Sequence, residues 1–162
     1  MLKYIQQTID LNLQYVRMVM ADMDDAQMSA QPMHDRAINH PAWVLGHLCV
    51  SNCVLSQASG GPPLCPDGWR AVCDAGTRPV DDRSVYPGKA ELLETFERST
   101  HAVAAAFAGM TDEQLERPGP AAMQDLFPTI GQYIIHDLTA HTGMHLGQIA
   151  TWRRLMGKPP LF

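Results

Sequence analysis

His141-Thr142-Gly143-Met144-His145 sets two imidazoles four residues apart. On a helix that spacing stacks both rings on one face, close enough to hold a single divalent metal. Two ligands bind an ion poorly, and His47 is the best candidate for a third. With His141 as origin and about 100° per residue, His145 lies near +40°, Leu138 near +60°, and Ile130, Ile134 and Trp152 within about 20° of the origin. The pair therefore sits in the middle of an apolar, inward-facing stripe. His47 likewise shares a face with Trp43, Val50 and Val54. Buried imidazoles need partners, and three together are most simply explained by a shared cation. A metal site of His47, His141 and His145 is the expectation.

Three histidines leave at least one position open on zinc, nickel or iron, with manganese a further candidate. An open position is the catalytic pattern, because structural zinc takes four protein ligands. Such an ion lowers the pKa of a bound water or thiol and makes an anionic nucleophile near neutral pH. Asp137 and Gln148 fall within about 40° of the His141 direction, where they can orient a ligand ring or a substrate. For Asp137 the competing reading is a half-buried polar residue bonded elsewhere. No H-E-x-x-H signature is present, and no glutamate stands ready as a general base. His136 lies about 140° around the helix from His141 and is excluded from the same ion. His34, His40 and His101 are read as structural or solvent-exposed.

These side chains require long helices to carry them. Four segments have helical periodicity and none has sustained strand alternation. The first runs from about Leu2 to Met23 on a stripe of Ile5, Ile9, Leu13, Val16 and Met20. The second opens at Asn39-His40-Pro41, a capping residue ahead of a first-turn proline, and runs to about Ser59, where Gly60-Gly61-Pro62-Pro63 ends it. The third runs from Pro87-Gly88-Lys89 to Met110. The fourth runs from Pro128-Thr129 to Met156 and closes at Gly157. The connection from Gly60 to Gly88 carries five prolines. A link that long inside a compact domain crosses the fold or shapes a site. The expected architecture is all-α: a four-helix bundle with a long crossover between the second and third helices, as one domain over residues 1–162.

A weak repeat supports two helical halves. Met23-Asp24-Asp25-Ala26-Gln27-Met28 parallels Met110-Thr111-Asp112-Glu113-Gln114-Leu115, and Pro41 parallels Pro128 at the same offset. Thr111 and Gln114 have capping-box spacing. At that offset His47 falls on Ile134, so the histidines are not part of the repeat. Ala140, Gly143 and Gly147 share the side of the fourth helix away from the histidines. Glycine costs a helix about 1 kcal/mol against alanine, so the cluster predicts close approach of another backbone. A neighbouring helix of the same chain is preferred to a second subunit.

At 162 residues the chain can bury a core without disulfides. A net charge of −5 argues against a nucleic-acid partner. No apolar run approaches a membrane span, and no signal-peptide pattern opens the sequence, so a cytoplasmic protein is expected. Cys49, Cys53, Cys65 and Cys73 show no C-x-x-C spacing. Cys49 and Cys53, four apart on the second helix, read as small apolar packers rather than reactive thiols.

Two stretches resemble the motifs of a known family. Asn39-His40-Pro41-Ala42-Trp43-Val44-Leu45-Gly46-His47-Leu48 is similar to the second-helix motif of the DinB-like (DinB/YfiT-like) superfamily. His141-Thr142-Gly143-Met144-His145-Leu146-Gly147-Gln148-Ile149 is similar to its final-helix motif, and Tyr86-Pro87-Gly88-Lys89-Ala90-Glu91-Leu92-Leu93 to its third-helix entry. The resemblance spans about Ile5 to Met156. It implies a four-helix bundle, a three-histidine site for zinc, nickel or a similar ion, and frequently a homodimer. It also implies a small-molecule substrate, since relatives include thiol-dependent S-transferases and isomerases using low-molecular-weight thiols, and metal-dependent hydrolases. The competing class is a non-catalytic, stress-associated metal-binding module. The crossover bearing Cys65 and Cys73 departs from the family pattern and leaves the substrate wall undefined.

Overall fold

The computed structural model describes residues 2–161. Ile9, Leu13, Val16 and Met20 are buried along one side of α1 (Leu2–Met20), as a period of about 3.6 residues requires. A 3₁₀ turn at Ala26–Ser29 leads to α2 (Pro41–Ala58). From Pro41 to Val50 every residue of α2 is buried. A helix apolar on all sides belongs at the centre of a fold, and α2 accordingly packs on α3 (Trp69–Cys73), α4 (Lys89–Ala108) and α7 (Thr142–Leu155). Both α4 and α7 also pack on α1. The short α5 (Asp112–Leu115) contacts α6 (Ile130–His136). The fold is all-helical, with no strand among the described residues. The buried apolar residues form one contiguous core, and each large aliphatic or aromatic member contributes roughly 1.5–3 kcal/mol by leaving water.

Buried polar groups fix how the helices sit against one another. Asn52 on α2 donates to Ser99 Oγ and Thr100 Oγ1 on α4, each at 3.0 Å. Arg153, only 2% exposed, donates to the Val19 carbonyl at 2.9 Å and pairs with Asp22. Lys89 Nζ reaches the Met20 carbonyl at 2.7 Å and also that of Met23. These two cations bond carbonyls at and just beyond the C-terminus of α1, where the helix supplies few donors of its own. No helix among the described residues is long and apolar enough to cross a membrane.

Several expectations need correction. Helix α1 stops at Met20, three residues early. The N-cap of α2 is His40: its Nδ1 accepts from the Trp43 N–H at 3.2 Å, with Pro41 in the first turn. Inside the long connection Trp69–Cys73 forms α3, which the sequence reading did not place. A helix that short has no periodicity to read. The fourth segment is not one continuous α-helix, because a π-helical turn at Asp137–His141 separates α6 from α7. Asn12 on α1 donates to the carbonyls of Leu138 and Thr139 at 3.4 and 3.2 Å, and Thr142 Oγ1 to that of Asp137 at 2.9 Å. Those donors satisfy carbonyls that the wider turn releases from the α-helical ladder. The glycine reading also fails within the chain. A Cβ added at Gly143 or Gly147 meets nothing within 4 Å, and both lie on an exposed face. Close approach occurs at Gly46 instead, where an added Cβ would stand 2.3 Å from Cys73 Sγ. The capping box at Thr111 and Gln114 is present, and Thr129 and Gln132 form a second at the start of α6.

Candidate metal centre

The three histidines predicted from spacing meet between α2 and α7. His47 Nε2 lies 3.3 Å from His141 Nε2, and His145 Nε2 lies 3.1 Å from the same atom. His47 is 6% exposed, and His141 and His145 are half-buried. Among the described residues this group of three can share a metal ion, with one ligand atom from each within 4.8 Å of the others.

The outer nitrogen of each ring identifies what the inner one offers. His47 Nδ1 is 3.0 Å from the Cys73 carbonyl, which can only accept, so Nδ1 carries the hydrogen and Nε2 presents a lone pair. His145 Nδ1 is 3.1 Å from Gln148 Oε1, whose orientation is set by a 2.9 Å hydrogen bond from Asn39 Nδ2. His141 Nδ1 lies 2.9 Å from Asp137 Oδ1. That carboxylate sits off the line of the ring N–H, leaving Nδ1 without an aligned partner. With Nδ1 as the donor on each ring, the three Nε2 lone pairs lie close enough together to share one ion. Two nitrogens at about 2.0–2.1 Å from a tetrahedral zinc stand about 3.3–3.4 Å apart, close to both observed separations. The donor set fits a divalent metal, with a carbonyl, a carboxylate and an amide orienting the rings from outside.

Electrostatics agree with neutral rings. Burial is the first cause that lowers the pKa of His145 to about 4, and the neighbouring His47 and His141 lower it further. Burial likewise lowers that of His47, and His141 adds to the effect. Neutral imidazole is the metal-binding form, and burial favours it at His47 and His145.

The surrounding elements position each ring. Trp43, one turn before His47, stacks on it with centroids 5.0 Å apart and planes 4° from parallel. The Trp43 indole N–H donates to Thr77 Oγ1 at 2.8 Å, tying the stack to the crossover. The π turn carries Asp137 at one end and His141 at the other. His136 is outside the group, as expected: its ring lies 6.0 Å from that of His141 and packs on Phe127 at 4.5 Å. His40 is wholly buried and structural, while His34 and His101 are exposed.

Spacing found the three rings, Asp137 and Gln148. It missed the Cys73 carbonyl, because a main-chain acceptor at the end of a five-residue helix leaves no mark in residue type. It also missed Asn39 as the group that orients Gln148, a contact across more than a hundred residues.

Comparison with curated proteins finds no match. A family model described as the DinB superfamily matches residues 8–149, a span holding all three histidines. On the strength of that match, the chain belongs to the DinB superfamily.

Proposed function

We propose that this protein is a metal-dependent enzyme acting on a small molecule, of the thiol-dependent S-transferase type. His47, His141 and His145 hold a divalent ion, zinc or nickel before iron or manganese. One observation carries the reading: three Nε2 atoms come together while the Nδ1 atoms of His47 and His145 are held by outside acceptors and Asp137 stands 2.9 Å from that of His141. Three protein donors leave room for a further ligand, which separates this set from a closed structural site. A bound ion would lower the pKa of a coordinated thiol or water.

The protein's own groups supply the positioning. The Cys73 carbonyl and Trp43 lock His47, and Gln148 with Asn39 locks His145. Asp137 holds the His141 ring and offsets the charge of the ion. The thiol preference rests on the resemblance to the DinB-like superfamily, whose members include thiol-dependent S-transferases, and hydrolysis is the nearest competitor. We read the four long helical segments as a four-helix bundle with its crossover between α2 and α4, forming one domain. We place it in the cytoplasm, where its four free cysteines fit a reducing environment. A homodimer through the exposed Gly143 and Gly147 face accounts for small residues that pack on nothing within the chain.

The test is a transfer assay on zinc- or nickel-loaded protein, with glutathione and other small cellular thiols offered an electrophilic acceptor. The expected result is thiol consumption that disappears in His141→Ala. Turnover of ester or amide substrates without thiol would replace transfer with hydrolysis. A metal-loaded protein inert to both would favour the non-catalytic module.

A further inference from the structure

The π turn beside the two ligands of α7 is held from outside, by a residue of α1. In an α-helix the Thr142 N–H bonds the Leu138 carbonyl, four residues back. Here it bonds the Asp137 carbonyl, five residues back, and also that of Thr139. The Leu138 carbonyl thereby loses its α-helical donor. Asn12 Nδ2 takes that place at 3.4 Å and reaches the Thr139 carbonyl at 3.2 Å. The Thr142 hydroxyl donates to the Asp137 carbonyl at 2.9 Å, but it belongs to the turn and can follow it into another conformation. Asn12, half-buried on α1, is the donor of these that ties the turn to the rest of the fold.

The wider turn changes which side chains share a face. Over the four steps from Asp137 to His141 a π turn falls behind α-helical counting by roughly 70°. Straight counting at about 100° per residue puts Asp137 at about −40° from His141, on the side away from His145 at about +40°. The π turn moves Asp137 to about +30°, between the two rings. There it is 5% exposed, with Oδ1 2.9 Å from His141 Nδ1. The same rotation brings Ile130 and Ile134 to about +50° and +90°. Those directions match the buried Leu146, Ile149 and Trp152 of α7, at about +140°, +80° and +20°. One apolar stripe runs through both helices, with the carboxylate and the two ligand rings along its edge.

We propose that Asn12 is a positioning residue of the metal centre: by holding the π turn it fixes Asp137 against His141 and so sets the affinity for the ion. The role rests on the three-histidine metal centre proposed above. Asn12 acts through the carbonyls of residues 138 and 139 rather than through a ligand ring. Without its donors the Leu138 carbonyl can reclaim the Thr142 N–H, which tightens the turn and carries Asp137 away from its place between the rings. The effect on the ion therefore passes through Asp137.

The test measures zinc affinity of the full-length protein by competition with a chromogenic chelator. Wild type, Asn12→Leu, Asp137→Asn and the double variant are compared, with folding checked by circular dichroism. Leucine keeps the size of asparagine and removes its N–H donors; should it prevent folding, Asn12→Ala makes the same comparison. Asn12→Leu should bind zinc about tenfold more weakly than wild type. Added to Asp137→Asn, it should cost less than about threefold more, because the two act as one unit. Asn12→Gln, which keeps the donors on a longer arm, should bind more tightly than Asn12→Leu. Wild-type affinity in a folded Asn12→Leu overturns the proposal, as do losses that add in full in the double variant or an equal loss in Asn12→Gln. A wild type that binds no zinc removes the metal centre and this role with it, whereas failure of the Asn12 role alone leaves wild-type binding intact.

Discussion

His40 holds the start of the helix that carries His47, and its chemistry makes α2 sensitive to acid. Its Nδ1 accepts from the Trp43 N–H, its Nε2 donates to the Val80 carbonyl at 2.8 Å, and Tyr86 packs edge-on at 4.9 Å. Only the neutral ring can do both, because protonation fills the Nδ1 lone pair that caps the helix. Burial lowers the pKa from 6.5 to about 4. The folded value lies below the unfolded one, so between those values the unfolded chain binds more protons and stability falls as pH falls. Taking the two values at face, the loss from about pH 7 to about pH 5 is on the order of 2 kcal/mol. His40→Asn retains a cap acceptor and removes the titrating ring. At neutral pH it should cost about 1–3 kcal/mol through the Val80 carbonyl left without its donor. Urea unfolding of chelator-treated wild type and variant at both pH values measures this. The metal-site histidines contribute equally to both proteins and cancel in the difference. The variant should lose roughly 2 kcal/mol less than wild type on acidification. An identical pH dependence in the two proteins would refute the assignment of His40 as the neutral cap.

Three further outcomes follow from particular contacts. Asp137→Asn should weaken metal binding about tenfold to a hundredfold while leaving the fold intact, read by competition with a chromogenic chelator. Gly46→Ala should cost about 1–3 kcal/mol and loosen metal binding as well, since the displaced Cys73 also holds His47; Cys73→Ala in the same chain should recover part of both losses, measured in a double-mutant cycle. Gly147→Ala should raise stability by up to about 1 kcal/mol if its face is open, and should instead weaken self-association in analytical ultracentrifugation if a second copy covers it.

The helices and the three rings were legible because their information is periodic. An apolar stripe and an i, i+4 histidine pair report a face directly, and His47 could be matched to that face from its own stripe. What stayed hidden depends on tertiary contact. The π turn at Asp137–His141 is supported by Asn12, far away in the chain, so straight α-helical counting passes over it. The Cys73 carbonyl is a main-chain group, and any residue type can supply one. Gly143 and Gly147 misled because helix propensity says only that a cost exists, and not which surface offsets it. Gly46 is under real steric demand, yet it sits in an apolar run where nothing distinguishes it.

The central claim is that three converging lone pairs bind one divalent ion. The most direct measurement is elemental analysis and zinc titration of purified wild type beside His145→Ala, with folding of both checked by circular dichroism. Wild type should hold one equivalent of metal per chain and the variant only background. A folded wild type that takes up no zinc or nickel, or a variant that retains a full equivalent, would contradict the account.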